Sequence, residues 1–438
     1  MKEPSKTFCI LPWVHLSSHS DGRMRLCWNV RKKGISPEVN DAVSEPFFHF
    51  NQVSVSQVWN SDALRSVRKA MLRGEALGSC VGCYQDEALG KTSKRQVENR
   101  RWNLDRFKDL IEHSAANDGN CSESPRSIDL RLGNACNLQC RSCGPLSSRP
   151  LEKEFQSLRA AGHVFPHAQE ELDAIGSQKL NWFEGEEYLE DLNQLLPHLE
   201  IIAAYGGEPV LNRSLIKILG RCRERELSGR MGFRFVSNLT LLPKDFYDYA
   251  EDFSWVSAGF SIDAWGEKND FLRHPSKFSK LESNLREVLQ SRSEKFSFTI
   301  IVTLQALNAL EIPKLLENLL KLCLQENRKC DIAFNVLREP DFLGISALPQ
   351  SVLQTAAMNL EKYLLQMETS SPEDSPLKKQ LVQLWRPKIL DAVSVLKHEK
   401  SQHVQHWKML TNFMDVLDQS RGHDWKALYP EFKDLGSR

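Results

Sequence analysis

Polar and apolar residues alternate over Ser127-Ile128-Asp129-Leu130-Arg131-Leu132, the period of a short strand. Leu199-Glu200-Ile201-Ile202-Ala203-Ala204-Tyr205 is nearly all apolar and reads as a second, buried strand. Beyond it the chain switches between short aromatic or β-branched runs and longer stretches with apolar residues at helical spacing. A helix is expected over 210–226, and strands over 233–236, 255–262, 298–304 and 331–337. Strand and helix in alternation imply a parallel α/β architecture.

The flanks follow other patterns. Residues 8–16 look like a strand, with Arg23-Met24-Arg25-Leu26-Cys27-Trp28 as its hairpin partner across Ser20-Asp21-Gly22. A helix is expected from about Ser61, with Leu64, Val67 and Met71 on one face and Gly74 as its stop. Residues 87–125 are polar, with one helical stretch around 101–113. Between the strands at 127–132 and 199–205 lies a long insertion, 146–198, with helical patterns at each end. In it Trp182 and Phe183 read as packing, and Glu184-Gly185-Glu186-Glu187 as a solvated helix start. From residue 349 the pattern is helical to the end, over 350–366, 377–397 and 406–418, with 368–376 as a linker.

A chain of 438 residues is long enough for two or three domains. Its hydrophobic content of 41% and charged content of 26% are ordinary for a globular protein. The formal net charge is zero and no basic block occurs, so neither a nucleic acid nor a membrane is an expected partner. No apolar run is long enough to span a bilayer, and Met1-Lys2-Glu3-Pro4-Ser5-Lys6-Thr7 lacks the apolar core of a signal peptide. The expected location is the cytoplasm. There the eleven cysteines favour metal or redox chemistry over disulfides.

Three of these cysteines, Cys136, Cys140 and Cys143, form C-x3-C-x2-C on a loop directly after the first strand. A tetrahedral structural site or an ordinary iron–sulfur cluster takes four thiolates, so three within loop reach leave one position open. Zinc completed by a residue from elsewhere fits the same spacing. The second strand runs into Gly206-Gly207-Glu208-Pro209, where paired glycines allow close backbone approach and a carboxylate can hold an ammonium group. A second thiol set, Cys9, Cys27, Cys80 and Cys83, can converge from a hairpin and a post-helical turn. The plain alternatives are small buried residues for the first two and half a zinc site for the others. Cys121 reads as a free thiol, and Cys222, Cys323 and Cys330 as structural.

The C-x3-C-x2-C loop and the Gly-Gly-Glu turn, in this order on successive strands, resemble the radical S-adenosylmethionine (radical SAM) family. The resemblance implies a partial six-stranded (β/α)6 parallel barrel over 126–345, with its site at the C-terminal ends of the strands. Cys136, Cys140 and Cys143 would hold a [4Fe-4S] cluster whose open iron is chelated by SAM, and Gly206, Gly207 and Glu208 would take the amino end of SAM. Ser237, Asn238, Ser261 and Asp263 become candidates for its ribose and carboxylate, with Arg273 as a carboxylate partner. The plain alternative for each of these five is a strand-end cap or an exposed polar residue. Ser142 before the third cysteine, the Ser-Asn-Leu end of the third strand, and Ala264 after Asp263 depart from the family pattern.

Phe8-Cys9, Pro12-Trp13, Val58-Trp59-Asn60 and Cys80-x-x-Cys83-Tyr84 resemble the twitch module, a short relative of the SPASM extension. This implies an auxiliary iron–sulfur cluster, of [4Fe-4S] type, on Cys9, Cys27, Cys80 and Cys83 within an N-terminal domain over 1–125. A C-terminal helical extension over 346–438 also matches. The implied activity is reductive cleavage of SAM to a 5′-deoxyadenosyl radical that abstracts hydrogen from substrate, with an external electron donor such as flavodoxin or ferredoxin. The substrate is expected to be a peptide or protein side chain. A sugar or small metabolite is the alternative within the class, and a zinc-stabilised, non-catalytic binding protein the alternative outside it.

Overall fold

In the computed structural model the described residues are 5–30, 48–88, 90–177, 180–290, 293–369 and 375–436. The chain is α/β, with eight strands among the described residues: β1 His15–Ser18, β2 Met24–Arg25, β3 Ser127–Leu130, β4 Ile201–Ala204, β5 Gly232–Ser237, β6 Trp255–Ser261, β7 Phe296–Leu304 and β8 Asp331–Val336. They lie in the order β2-β1-β3-β4-β5-β6-β7-β8. β1 and β2 are antiparallel, whereas β1 with β3, β3 with β4, β4 with β5, and β7 with β8 are parallel.

All six strands expected between residues 127 and 337 form, and two more precede them. β3 and β4 are buried along their whole length, as strands covered on both faces must be. In β7, buried Phe296, Phe298, Ile300, Val302 and Leu304 alternate with more exposed residues, so one face is wetter.

The strand expected over 8–16 is instead a helical turn, Leu11–Val14, leading into β1. Pro12 is the reason: it has no N–H to give a sheet and its fixed φ suits a first helical turn. β1 then pairs in parallel with β3, bringing His15 beside Ser127 and Ser17 beside Asp129. The helical stretch expected over 101–113 is broken as well. Helices Lys94–Arg101 and Lys108–Ala116 are separated by a turn in which Asn103 has φ 48.

Two compact units are distinguished. The first comprises Met1–Ala135, Ala174–Phe235 and Lys244–Val256. Its helix Asp62–Arg73 is capped by the Ser61 hydroxyl and stopped by Gly74 at φ 78, as expected. Arg68 on that helix is fully buried and donates to the carbonyls of Pro12, Trp59 and Gly119, which ties the N-terminal turn to the helix.

The second unit comprises Cys136–Asp173, Val236–Pro243 and Ser257–Arg438. Its three long C-terminal helices are Gln350–Glu368, Pro376–His398 and His403–Arg421. The Trp385 indole donates to the Cys330 carbonyl at 2.9 Å, anchoring the second of them beside β8. Most of the linker expected over 368–376 lies outside the described residues. Among the described residues no helix is long and apolar enough to cross a membrane.

Candidate functional site

The three-cysteine loop belongs to the second unit, where backbone hydrogen bonds fix it. Gln139 and Arg141 donate their N–H groups to the carbonyls of His274 and Leu272, at 2.5 and 2.9 Å. The Ser148 hydroxyl donates to the Leu138 carbonyl at 2.6 Å while capping helix Arg149–Ala160. Arg141 is buried, stacks 3.7 Å over the Phe271 ring and pairs with Asp418 at 2.5 Å. One arginine between the second and third cysteines thus clamps the loop against the C-terminal helix His403–Arg421.

The thiols share one electrostatic environment. The Cys140 thiol is brought down to about 7 by the hydrogen bond from Cys143 and, against burial, by Arg273 and Arg421. Cys143 is held well above the ordinary thiol range as partner in that bond, by burial, and by the charges of Cys140 and Cys136. The Leu138 N–H points at the Cys136 sulfur from 3.5 Å. Arg273 is thus placed beside the cysteines as a counter-charge, which suits a thiolate-ligated and therefore anionic cluster. Its Nη1 also pairs with Asp263 Oδ2 at 2.9 Å.

That pair bears on the remaining candidates of this unit. Asp263 is buried, and its Oδ1 accepts the Thr303 N–H at 2.7 Å, so both of its oxygens are engaged within the protein. The Ser237 hydroxyl accepts the Leu239 N–H at 3.0 Å, in a turn where Leu239 has φ 58. Asn238 donates to Asn137 Oδ1 at 2.8 Å and accepts from the Thr240 N–H at 2.9 Å. Asn137 lies between Cys136 and Cys140 in sequence, so the end of β5 is stitched to the cysteine loop. Ser261 ends β6 and is half-buried.

The Gly-Gly-Glu turn belongs to the first unit. Gly206 and Gly207 have φ of 77 and 56, which side chains rarely adopt. A Cβ on Gly207 would collide with the Ala135 carbonyl, the same carbonyl that accepts the Glu208 N–H at 2.7 Å. Paired glycines are therefore what lets this turn close on the residue before Cys136. Glu208 is buried.

Also in the first unit, Cys9, Cys27, Cys80 and Cys83 lie within one another's field although they come from separate segments. Burial raises all three of the affected thiols: Cys9 well above its usual range, with Cys27, Cys80 and Cys83 adding to it; Cys27 to about 11, with Cys83 adding; Cys80 to about 12, with Cys27 and Cys83 adding. The backbone N–H groups of Leu11 and Asn29 point at Cys9 and Cys27, and Asn29 Nδ2 lies 3.3 Å from the Cys83 sulfur. Such N–H···S bonds are among the features that tune iron–sulfur potentials.

Among the described residues no three His, Cys, Asp or Glu form a group that could hold a metal ion.

Of the other cysteines, Cys121 is a free, buried thiol near the Trp13 and Glu123 carbonyls. Cys323 and Cys330 are buried with sulfurs 3.2 Å apart, a proximity that spacing alone does not reveal. The roles of Arg141 and Arg421 also escape a sequence reading. Their partners Asp418 and Glu154 are far along the chain, and no local pattern marks them.

No protein-family model matches the chain, and neither does any curated protein. Solved structures do. SuiB of Streptococcus suis bound to S-adenosylmethionine matches with TM-score 0.34 and 12% identity, over 60% of this chain and 50% of that one. SuiB bound to its precursor peptide SuiA gives 0.35 and 13%, over 66% and 60%. The protein anSMEcpe with bound AdoMet and the Cp18Cys peptide gives 0.34 and 15%, over 55% and 59%. These neighbours are radical SAM enzymes, and the chain spans only half to three-fifths of their length. Likeness at this level assigns neither fold nor function.

Proposed function

We propose that the chain is a radical SAM enzyme acting on a peptide or protein side chain. In this reading β3 to β8 form the partial barrel, residues 1–125 the auxiliary-cluster domain and 346–438 the helical extension. The observation that carries the reading is the loop after β3: three thiols in one electrostatic environment, with Arg273 as counter-charge.

A [4Fe-4S] cluster with SAM supplies, when bound, one-electron cleavage to a 5′-deoxyadenosyl radical that abstracts hydrogen. Cys136, Cys140 and Cys143 would bind that cluster, and Arg273 offsets the thiolate charge while Asp263 keeps it oriented. Gly206 and Gly207 let the turn close on Ala135, and Glu208 provides a carboxylate for an ammonium group. Ser237, Asn238, Ser261 and Asp263 are the candidates at the strand ends for the ribose and carboxylate of SAM, with Arg273 as carboxylate partner. Cys9, Cys27, Cys80 and Cys83 would bind an auxiliary [4Fe-4S] cluster that carries electrons, with a flavodoxin or ferredoxin as external donor.

The test is anaerobic reconstitution with iron and sulfide, followed by reduction in the presence of SAM and assay for deoxyadenosine. Product from the wild type but not from the Cys136/Cys140/Cys143→Ala variant is expected. An inert, colourless wild type would overturn the reading.

A further inference from the structure

Helix Ile312–Gln325 ends by turning the chain back on itself. Asn327 takes the left-handed conformation, at φ 49. Its N–H donates to the Leu324 carbonyl at 3.3 Å, and the Arg328 N–H donates to the Cys323 carbonyl at 3.0 Å. These two bonds make a Schellman stop, with Asn in the place more often taken by Gly. The reversal delivers Cys330, directly before β8, back to Cys323 in the last turn of the helix.

Both sides of this junction are held in place. β8 pairs with β7 from its first residue, Asp331 opposite Thr299. The Trp385 indole donates to the Cys330 carbonyl at 2.9 Å, and Lys388 Nζ donates to Asp331 Oδ1 at 2.6 Å. The two thiols therefore meet inside the second unit, buried, with sulfurs 3.2 Å apart. They belong to neither cysteine set discussed above, and two thiolates fall short of the four that a structural zinc site takes.

A disulfide holds its sulfurs about 2.0 Å apart, so about 1.2 Å remains to close, within reach of small side-chain rotations. We propose that Cys323 and Cys330 are a reversible oxidation site, converted by a peroxide into a disulfide that staples helix Ile312–Gln325 to β8. One sulfur, as thiolate, attacks hydrogen peroxide and becomes a sulfenic acid, releasing hydroxide. The other sulfur then attacks it, the S–S bond forms and water leaves. Two thiols and one peroxide thus become one disulfide and two waters, and an external dithiol reverses the step. Peroxide is small enough to reach a buried pair. Burial also pushes the Cys330 thiol well up, so conversion is slow and calls for long exposure. The site stands on the second unit alone and needs neither cluster nor SAM.

The test is long exposure of the reduced full chain to hydrogen peroxide, then unfolding in denaturant with iodoacetamide, trypsin digestion and mass spectrometry. Trypsin cuts after Lys321, Arg328, Lys329 and Arg338, so the two thiols fall on separate peptides, 322–328 and 330–338. These peptides are expected joined in most chains, two hydrogens below their summed mass, and separated again by dithiothreitol. The oxidised chain should melt about 3 °C or more above its reduced form, and Cys323→Ala and Cys330→Ala should each lose that gain. Peptides that stay separate, sulfurs joined chiefly to other cysteines, or a joined pair without the rise in melting temperature would overturn the proposal.

Discussion

Cys136, Cys140 and Cys143 sit on a single loop, where the hydrogen bond from Cys143 and, against burial, Arg273 and Arg421 draw the Cys140 thiol down to about 7. Cys9, Cys27, Cys80 and Cys83 are gathered from three segments, and there burial holds Cys27 near 11 and Cys80 near 12. The first arrangement offers three ligands and a cationic setting, which suits a cluster that must keep a position for a ligand. The second offers four ligands, with Lys94, Arg25 and Arg95 acting on Cys27 and Cys80 against burial, which suits a closed cluster that metal binding must deprotonate. On the proposed reading, ligand number would separate the SAM-binding site from the closed one.

Removing each set in turn is the strongest way to break this comparison. Replacing Cys136, Cys140 and Cys143 by Ala is expected to abolish deoxyadenosine formation, measured by chromatography. Replacing Cys9, Cys27, Cys80 and Cys83 is expected to remove the other cluster while SAM cleavage stays measurable. Equal loss in both variants would erase the distinction.

The clamps on the reactive loop come next. Arg141→Ala leaves Asp418 buried and unpaired, which costs about 3–5 kcal/mol in denaturant unfolding. Arg273→Ala does the same to Asp263 and should also weaken iron retention, because the thiolates lose their counter-charge. Gly207→Ala is smaller in stability, at about 1–2 kcal/mol for the left-handed backbone, with the Ala135 collision added.

The last effect concerns pH, and it falls on the first unit. Burial lowers His15 to about 3 and His19 to about 4, so each takes up a proton more readily when unfolded. Stability should therefore fall as pH drops from about 6.5 towards 4, by up to about 1.4 kcal/mol per pH unit for His15. His15→Asn should flatten that slope in thermal melts at stepped pH.

What could be read from sequence was what neighbouring residues encode. The six strands over 127–337 are visible as apolar runs, and helix Asp62–Arg73 by its Ser61 cap and Gly74 stop. The cysteine loop and the Gly-Gly-Glu turn are spacings within a few residues. The rest depends on register or on distant partners. β1 joins the sheet because Pro12 diverts the preceding residues into a helical turn, and nothing local says that β1 will lie parallel to β3. That Asp263 and Arg273, ten residues apart, engage each other is not written in their neighbours.

The central claim, two clusters of unlike kind, is tested most directly by counting iron after anaerobic reconstitution in wild type and in each cysteine-set variant. About eight irons per chain in the wild type, about four in either variant, and SAM cleavage only where Cys136, Cys140 and Cys143 remain is the expected result. A zinc-bearing wild type without iron, or one that loses all of its iron when either set is removed, would contradict it.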